Sequence, residues 1–174
     1  MNLKHLRTPI LVALAAAALI GLAGCHAADT TAADKAAINA SVQRWAAAVE
    51  ARDIDGIMAY YVQDDSLFVY DVIPPRQYVG AAAYRKDWEQ TLAPYVGPIH
   101  ISVADWAVDV DGNLAYAHGT SLLSGNDKDG KPMDINVRVT DVYKKIDGKW
   151  LVVHEHVSVP IDPVTNKPDF QSKL

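Results

Sequence analysis

Apolar residues follow three rhythms along this chain. From Ile10 to Leu22 they are nearly continuous. From Ile38 the period is helical: Ile38, Val42, Trp45 and Val49 share one face, while Gln43, Arg44, Glu50 and Arg52 fall elsewhere. Asp53 fits an N-cap for a shorter helix carrying Ile54, Ile57, Met58 and Tyr61. Ser66–Val72 is aromatic and β-branched, which predicts a strand, and Pro74-Pro75 ends it. Ala81–Leu92 predicts a third helix with Tyr84, Trp88 and Leu92 stacked. Beyond His100 the period falls to two. Strands are predicted over Ile101–Val110, Leu114–Leu123, Met133–Lys145 and Trp150–Val159. Asp111-Gly112, the polar loop Gly125–Lys131 and Asp147-Gly148 separate them.

Helices followed by consecutive strands give an α+β order. The pattern predicts one domain over residues 34–160: a cone-shaped, curved antiparallel sheet packed around a long N-terminal helix. Such a sheet leaves a cavity at its open end. Residues 161–174 contain Pro163 and Pro168 and read as an extended tail.

The N-terminus belongs to a different class of segment. Its apolar run of 13 residues is below the ~18–20 needed for a membrane-spanning helix and suits a signal peptide. Lys4 and Arg7 supply the basic start. The end, Leu22-Ala23-Gly24-Cys25, resembles the lipobox of bacterial lipoproteins. That resemblance implies cleavage after residue 24, acylation of Cys25 and export. It also implies anchoring to a membrane, with His26 favouring the outer membrane and a periplasm-facing domain. Residues 25–33 then form the lipidated cysteine and a short tether. Cys25 is the only cysteine, so no internal disulfide forms.

Charge narrows the partners. Without residues 1–24 the chain keeps 14 basic residues against 21 acidic, a net charge of −7. A chain this acidic, with no basic run, is a poor match for nucleic acid or for anionic lipid headgroups.

The candidate chemistry lies where charges interrupt apolar faces. Along Met133–Lys145, Asp141 falls on the same side as Ile135, Val137, Val139 and Tyr143. In the last strand Glu155 alternates with Leu151, Val153, Val157 and Val159. A three-residue hairpin loop at Ile146–Gly148 would set Glu155 opposite Val139 and diagonal to Asp141. Two carboxyls on one apolar face raise each other's pKa, so one could hold a proton near neutral pH. The competing reading is a pair of structural acids satisfied by tyrosine, arginine or backbone donors. Asp71 is either a base at a pocket mouth or a turn-capping residue. His154 and His156 share the opposite face with Trp150, Val152 and Ser158. They suit a polar outer face or a subunit contact, with metal ligation as the lesser alternative because further ligands lack an obvious spacing. No nucleophile elbow, phosphate-binding glycine loop or dinucleotide fingerprint is present, and the sequence calls for no cofactor.

Several segments taken in order resemble the nuclear transport factor 2-like superfamily, in particular its SnoaL-like and ketosteroid isomerase-like branch. They are Ala51-Arg52-Asp53, Tyr60-Tyr61 with Asp64-Asp65, and Asp71 nine residues before Gly80. Thr140-Asp141-Val142-Tyr143, Asp147-Gly148-Lys149-Trp150 and His154-Glu155-His156-Val157-Ser158 complete the series. The resemblance spans Asp34 to Pro160. It implies a long helix in a curved sheet with a deep pocket. By position it makes Asp71 a proton-transferring base and Asp141 a protonated acid; the handling of such a neutral carboxylic acid is known from ketosteroid isomerase. Trp45 stands where that enzyme type has its oxyanion tyrosine, so an indole N–H replaces a phenol. Tyr61 and Trp88 match pocket aromatics, and Glu155 joins them at the ligand. Three functions are implied: binding of a small apolar or aromatic molecule, acid–base isomerase- or cyclase-like catalysis, and homodimerisation. A small-molecule ligand or substrate, the membrane through a lipid anchor, and a second copy are the expected partners.

Overall fold

A computed structural model describes residues 10–172, with side chains from Thr30 onward. Residues 1–9, with Lys4 and Arg7, and the side chains of the rest of the proposed signal peptide and of Cys25 lie outside the described residues. Helix α1 spans Ile10–Ala51. It runs on through residues 26–33, the stretch read as a short tether, and the alanine content of that stretch favours helix. Among the described residues no helix is long and apolar enough to cross a membrane.

The predicted face of α1 is the packed one: Ile38, Val42 and Val49 are buried and Trp45 is half-buried. The helix ends in a Schellman motif. Arg52 N–H donates to Val49 O and Asp53 N–H to Ala48 O, with Arg52 in the left-handed region at φ 57°. That conformation costs a non-glycine residue about 1 kcal/mol. Three hydrogen bonds from its guanidinium, to Leu92 O, Tyr95 O and Gly97 O, offset the cost and pin a distant connection to the helix end. Asp53 caps α2 (Ile54–Met58) by accepting from Gly56 N–H.

The remaining elements are β1 (Phe68–Tyr70), β2 (Tyr78–Val79), α3 (Ala81–Leu92), β3 (Val96–Asp111), β4 (Leu114–Asn126), β5 (Pro132–Ile146) and β6 (Lys149–Ser158). They form one curved, unclosed six-stranded sheet in the order β2-β1-β6-β5-β4-β3. The sheet is mixed rather than wholly antiparallel, because β1 pairs in parallel with β6, aligning Val69 with Glu155. Strand β3 is bent where its register shifts, between Val96 and His100 and between Ala104 and Ala107. Gly119 on β4 sits against the second bend: a Cβ there would lie 2.8 Å from Ala104 O and 2.9 Å from the Trp106 ring. The concave face wraps α1 and α3, and the core lies between them. The tail follows the convex side, where Asn136 N–H donates to Phe170 O and Asn136 Nδ2 to Ser172 O.

A carboxyl and tyrosine cluster beside an apolar cavity

The hairpin between β5 and β6 sets the site. Its turn has two residues rather than three: Ile146 faces Lys149, with Asp147 and Gly148 at φ 48° and 77°. Positive φ at both positions is a type I′ turn, which asks for Asp-Gly. Farther on, the register shifts by one between Val142 and Tyr143, leaving Val153 as the extra residue of a bulge. Asp141 therefore pairs directly with Glu155, not diagonally. The bulge also corrects the assumed parity of β6. Trp150 and Val152 are buried on the concave side, and beyond Val153 the inward role passes to Glu155.

Asp141 is 1% exposed and Glu155 4%. Two pairs of tyrosines serve them. Tyr60 donates to Asp141 Oδ2 at 2.8 Å and Tyr143 to the same oxygen at 3.0 Å. The Tyr60 and Tyr143 hydroxyls also touch each other in a short contact. Asp141 Oδ1 is buried with no hydrogen-bond partner among the described residues. Tyr61 donates to Glu155 Oε2 at 3.0 Å and Tyr84 to Glu155 Oε1 at 2.5 Å. The rings pack edge to face, Tyr60 on Tyr61 at 5.1 Å and Tyr61 on Tyr84 at 5.2 Å. Tyr60 and Tyr61 reach this place because the chain after α2 joins β6: Val152 N–H donates to Tyr60 O and Val62 N–H to Val152 O, each at 3.0 Å.

Burial pushes both acids up. Glu155 lies well above the usual carboxyl range, first through desolvation and then through the charge of Asp141. Asp141 rises to about 6 through desolvation, opposed by the Tyr60 and Tyr143 hydrogen bonds. One member of the pair therefore keeps a proton at neutral pH, and Glu155 is the stronger holder.

Tyr84 connects this cluster to the outside. Its oxygen lies 3.4 Å from Asp71 Oδ2 as well as 2.5 Å from Glu155 Oε1. A phenol has one hydrogen, so it can serve only one carboxylate at a time. Protonated Glu155 can donate to Tyr84, which leaves the Tyr84 hydrogen for Asp71. Asp71 Oδ1 accepts from Val72 N–H at 2.5 Å, and desolvation raises its carboxyl pKa.

Between α1, α3 and the concave sheet lies a cavity of about 90 Å³. Trp45, Trp88, Ile101, Leu123, Val137 and Val139 form its apolar wall; Asp71, Asp87, Tyr84, Ser121 and Glu155 supply its polar groups. The structure thus gathers Asp71, Glu155, Trp45 and Trp88 around one space. Tyr61 stands one hydrogen bond behind it, on Glu155. Asp141 is not on the wall; it backs Glu155 across the strand pair. Trp45 and Trp88 meet edge to face at 5.7 Å, and both indole N–H groups are buried without a partner among the described residues.

Asp87 was missed from the sequence. It is 4% exposed, accepts from Tyr78 OH at 2.6 Å, and burial lifts it to about 6. Its signal was present: a charge between Tyr84 and Trp88 on the apolar face of α3, the same kind of intrusion that marked Asp141. His154 Nδ1 faces Phe68 O at 2.8 Å and His156 is exposed. Among the described residues no group of three or more His, Cys, Asp or Glu side chains could hold a metal.

This architecture matches the SnoaL-like domain model over residues 38–162, and the chain belongs to that family. Among solved structures it is 33% identical to an NTF2-like protein of unknown function from Pseudomonas putida KT2440, with a TM-score of 0.73 over 83% of this chain and 99% of the other. A nuclear transport factor 2-like superfamily protein from Salmonella enterica is 18% identical, with a TM-score of 0.62 over 71% of this chain and 88% of the other. The association domain of C. elegans CaMKII is 20% identical, with a TM-score of 0.57 over 75% of this chain and 98% of the other. No curated protein matches the chain.

Proposed function

We propose that the domain binds a small apolar or aromatic molecule in the cavity between α3 and the sheet. The observation that carries this reading is the lining: hydrocarbon and indole walls with a few polar groups converging between them. The unpartnered N–H groups of Trp45 and Trp88 would gain an acceptor from a ligand oxygen. Titration with p-cresol, followed by NMR of the indole N–H signals, tests it. Trp45 and Trp88 should shift, while Trp150, whose N–H is held by Asp34 at 3.0 Å, should not. Unmoved Trp45 and Trp88 signals at saturating ligand would refute the reading.

A second reading, proton transfer on a bound carbonyl compound, is favoured by the Asp71–Tyr84–Glu155 contacts. Here Asp71 is the base at the cavity, Glu155 presents a proton, and Asp141 tunes Glu155 from behind. Solvent deuterium entering such a compound only with enzyme present, and not with Asp71→Asn, is the expected result.

The chain's context is part of the proposal. Cleavage after Gly24 and acylation of Cys25 would hold the domain at a bacterial membrane, facing the periplasm from the outer membrane. Cys25→Ala should move it to the soluble fraction; unchanged membrane partition would remove the anchor. Arg138, His154 and His156 on the convex face are the proposed homodimer contact, which a monomer at all concentrations in sedimentation would rule out.

A further inference from the structure

The few ionisable groups of this apolar cavity are all acids, with no built-in counter-charge. Asp71, Asp87 and Glu155 all line it, and no Lys, Arg or His does among the described residues. The ion pairs of those residues lie elsewhere: Lys35–Asp109, Arg85–Asp55, His100–Glu50, Lys128–Asp129 and Lys145–Asp34. Buried carboxyls are ordinarily paired with a cation or hold a proton. Here the donors are phenols, which are neutral: Tyr78 on Asp87, Tyr61 and Tyr84 on Glu155, and Tyr84 near Asp71.

We infer that the cavity is built for an organic cation, a small molecule with an aromatic body and one ammonium group placed among Asp71, Asp87 and Glu155. This rests on the cavity being the binding site. Tyr84 fixes two of the acids within about 6 Å of each other, through its contacts of 3.4 Å to Asp71 Oδ2 and 2.5 Å to Glu155 Oε1. An ammonium nitrogen sits ~3 Å from an acceptor and carries three hydrogens, so one nitrogen can serve both oxygens. The indoles of Trp45 and Trp88 line the same cavity, and an indole face attracts a cation. A carboxylate ligand would find no cation to pair with among the described residues of this lining.

Binding of a cation also moves protons. Desolvation holds protons on these acids, on Asp87 up to about 6. The groups facing them are Tyr78 and Asp71 at Asp87, Tyr61, Tyr84, Asp141 and Asp71 at Glu155, with His154 acting on Asp141 from farther off. An incoming ammonium favours the charged carboxylates and expels those protons. Affinity for a cation must therefore rise with pH through about 6, and that for a neutral analogue must not.

The test uses three molecules that share one skeleton: tyramine, tyrosol and 4-hydroxyphenylacetate, titrated into the purified chain by calorimetry. At pH 7.5 tyramine should bind at least tenfold tighter than tyrosol, with release of protons to buffer, and 4-hydroxyphenylacetate should bind weakest. At pH 5 the preference for tyramine should shrink severalfold. Asp71→Asn and Asp87→Asn should each narrow it at pH 7.5. Tyrosol binding as tightly as tyramine, or 4-hydroxyphenylacetate binding tightest, would overturn the cation assignment and leave the cavity as the binding site. Binding of none of the three would overturn both.

Discussion

The concave face carries acids in two settings, and the contrast separates architecture from function. At the floor, Asp141 and Glu155 are sealed under four tyrosines, each acid receiving two phenol hydroxyls. At the rim, Asp71 is half-buried and Asp87 takes one phenol. The floor acids are held by many bonds that would be orphaned if they left. The rim acids receive one phenol each, Asp71 with a backbone N–H beside it, and both line the cavity. Identical chemistry therefore serves mainly folding at the floor and ligand choice at the rim, and Glu155, which also lines the cavity, takes part in both.

The largest effect should come from Glu155→Ala. It strands the hydroxyls of Tyr61 and Tyr84 and empties space in the core, at a cost of about 3–5 kcal/mol. Urea denaturation measures it, and a loss below 1 kcal/mol would dissolve the distinction between floor and rim. Next is the pH dependence of stability. Asp141 has a folded-state pKa of about 6, above its unfolded value. The folded state thus holds extra protons between roughly pH 4 and 6, so the contribution to stability is full below about 4 and is lost as pH rises through 6. The loss is on the order of 3 kcal/mol for the Asp141 shift alone. Asp141→Asn should flatten that slope between pH 4 and 7.5 in denaturation curves. Smallest is Asp71→Asn, which should change stability by about 0.5 kcal/mol or less. A thermal shift as large as that of Glu155→Ala would place Asp71 with the floor.

Much of the fold was legible because long periodic segments declare themselves. Helix α3 runs over Ala81–Leu92 as its apolar spacing predicts, β3 to β5 cover the predicted strands and run beyond them, and β6 is offset by one residue. The burial of Asp141 followed from parity alone. What stayed hidden depends on partners rather than on local pattern. Strand β2 is two residues long and exists by pairing with β1. The parallel union of β1 with β6 joins segments some 86 residues apart, as Phe68 and His154. The Asp141–Glu155 pairing required both the turn length and the bulge at Val153, and a valine in a valine-rich strand carries no mark of being unpaired. Tyr84 read as a core aromatic of α3; its bridging role arises only once β6 brings Glu155 beneath it.

The extra residue in β6 has a consequence for chain length. Removing Val153 would join Val152 to His154 in an ordinary alternation, with Val152 inward, His154 outward and Glu155 inward as before. A one-residue gap at this point would therefore leave the acid in place, whereas the same deletion between Ile135 and Val139 would turn part of the wall inside out. Relatives that differ in length here can keep the same chemistry, so a gap in their alignment is no sign that the acid has been lost.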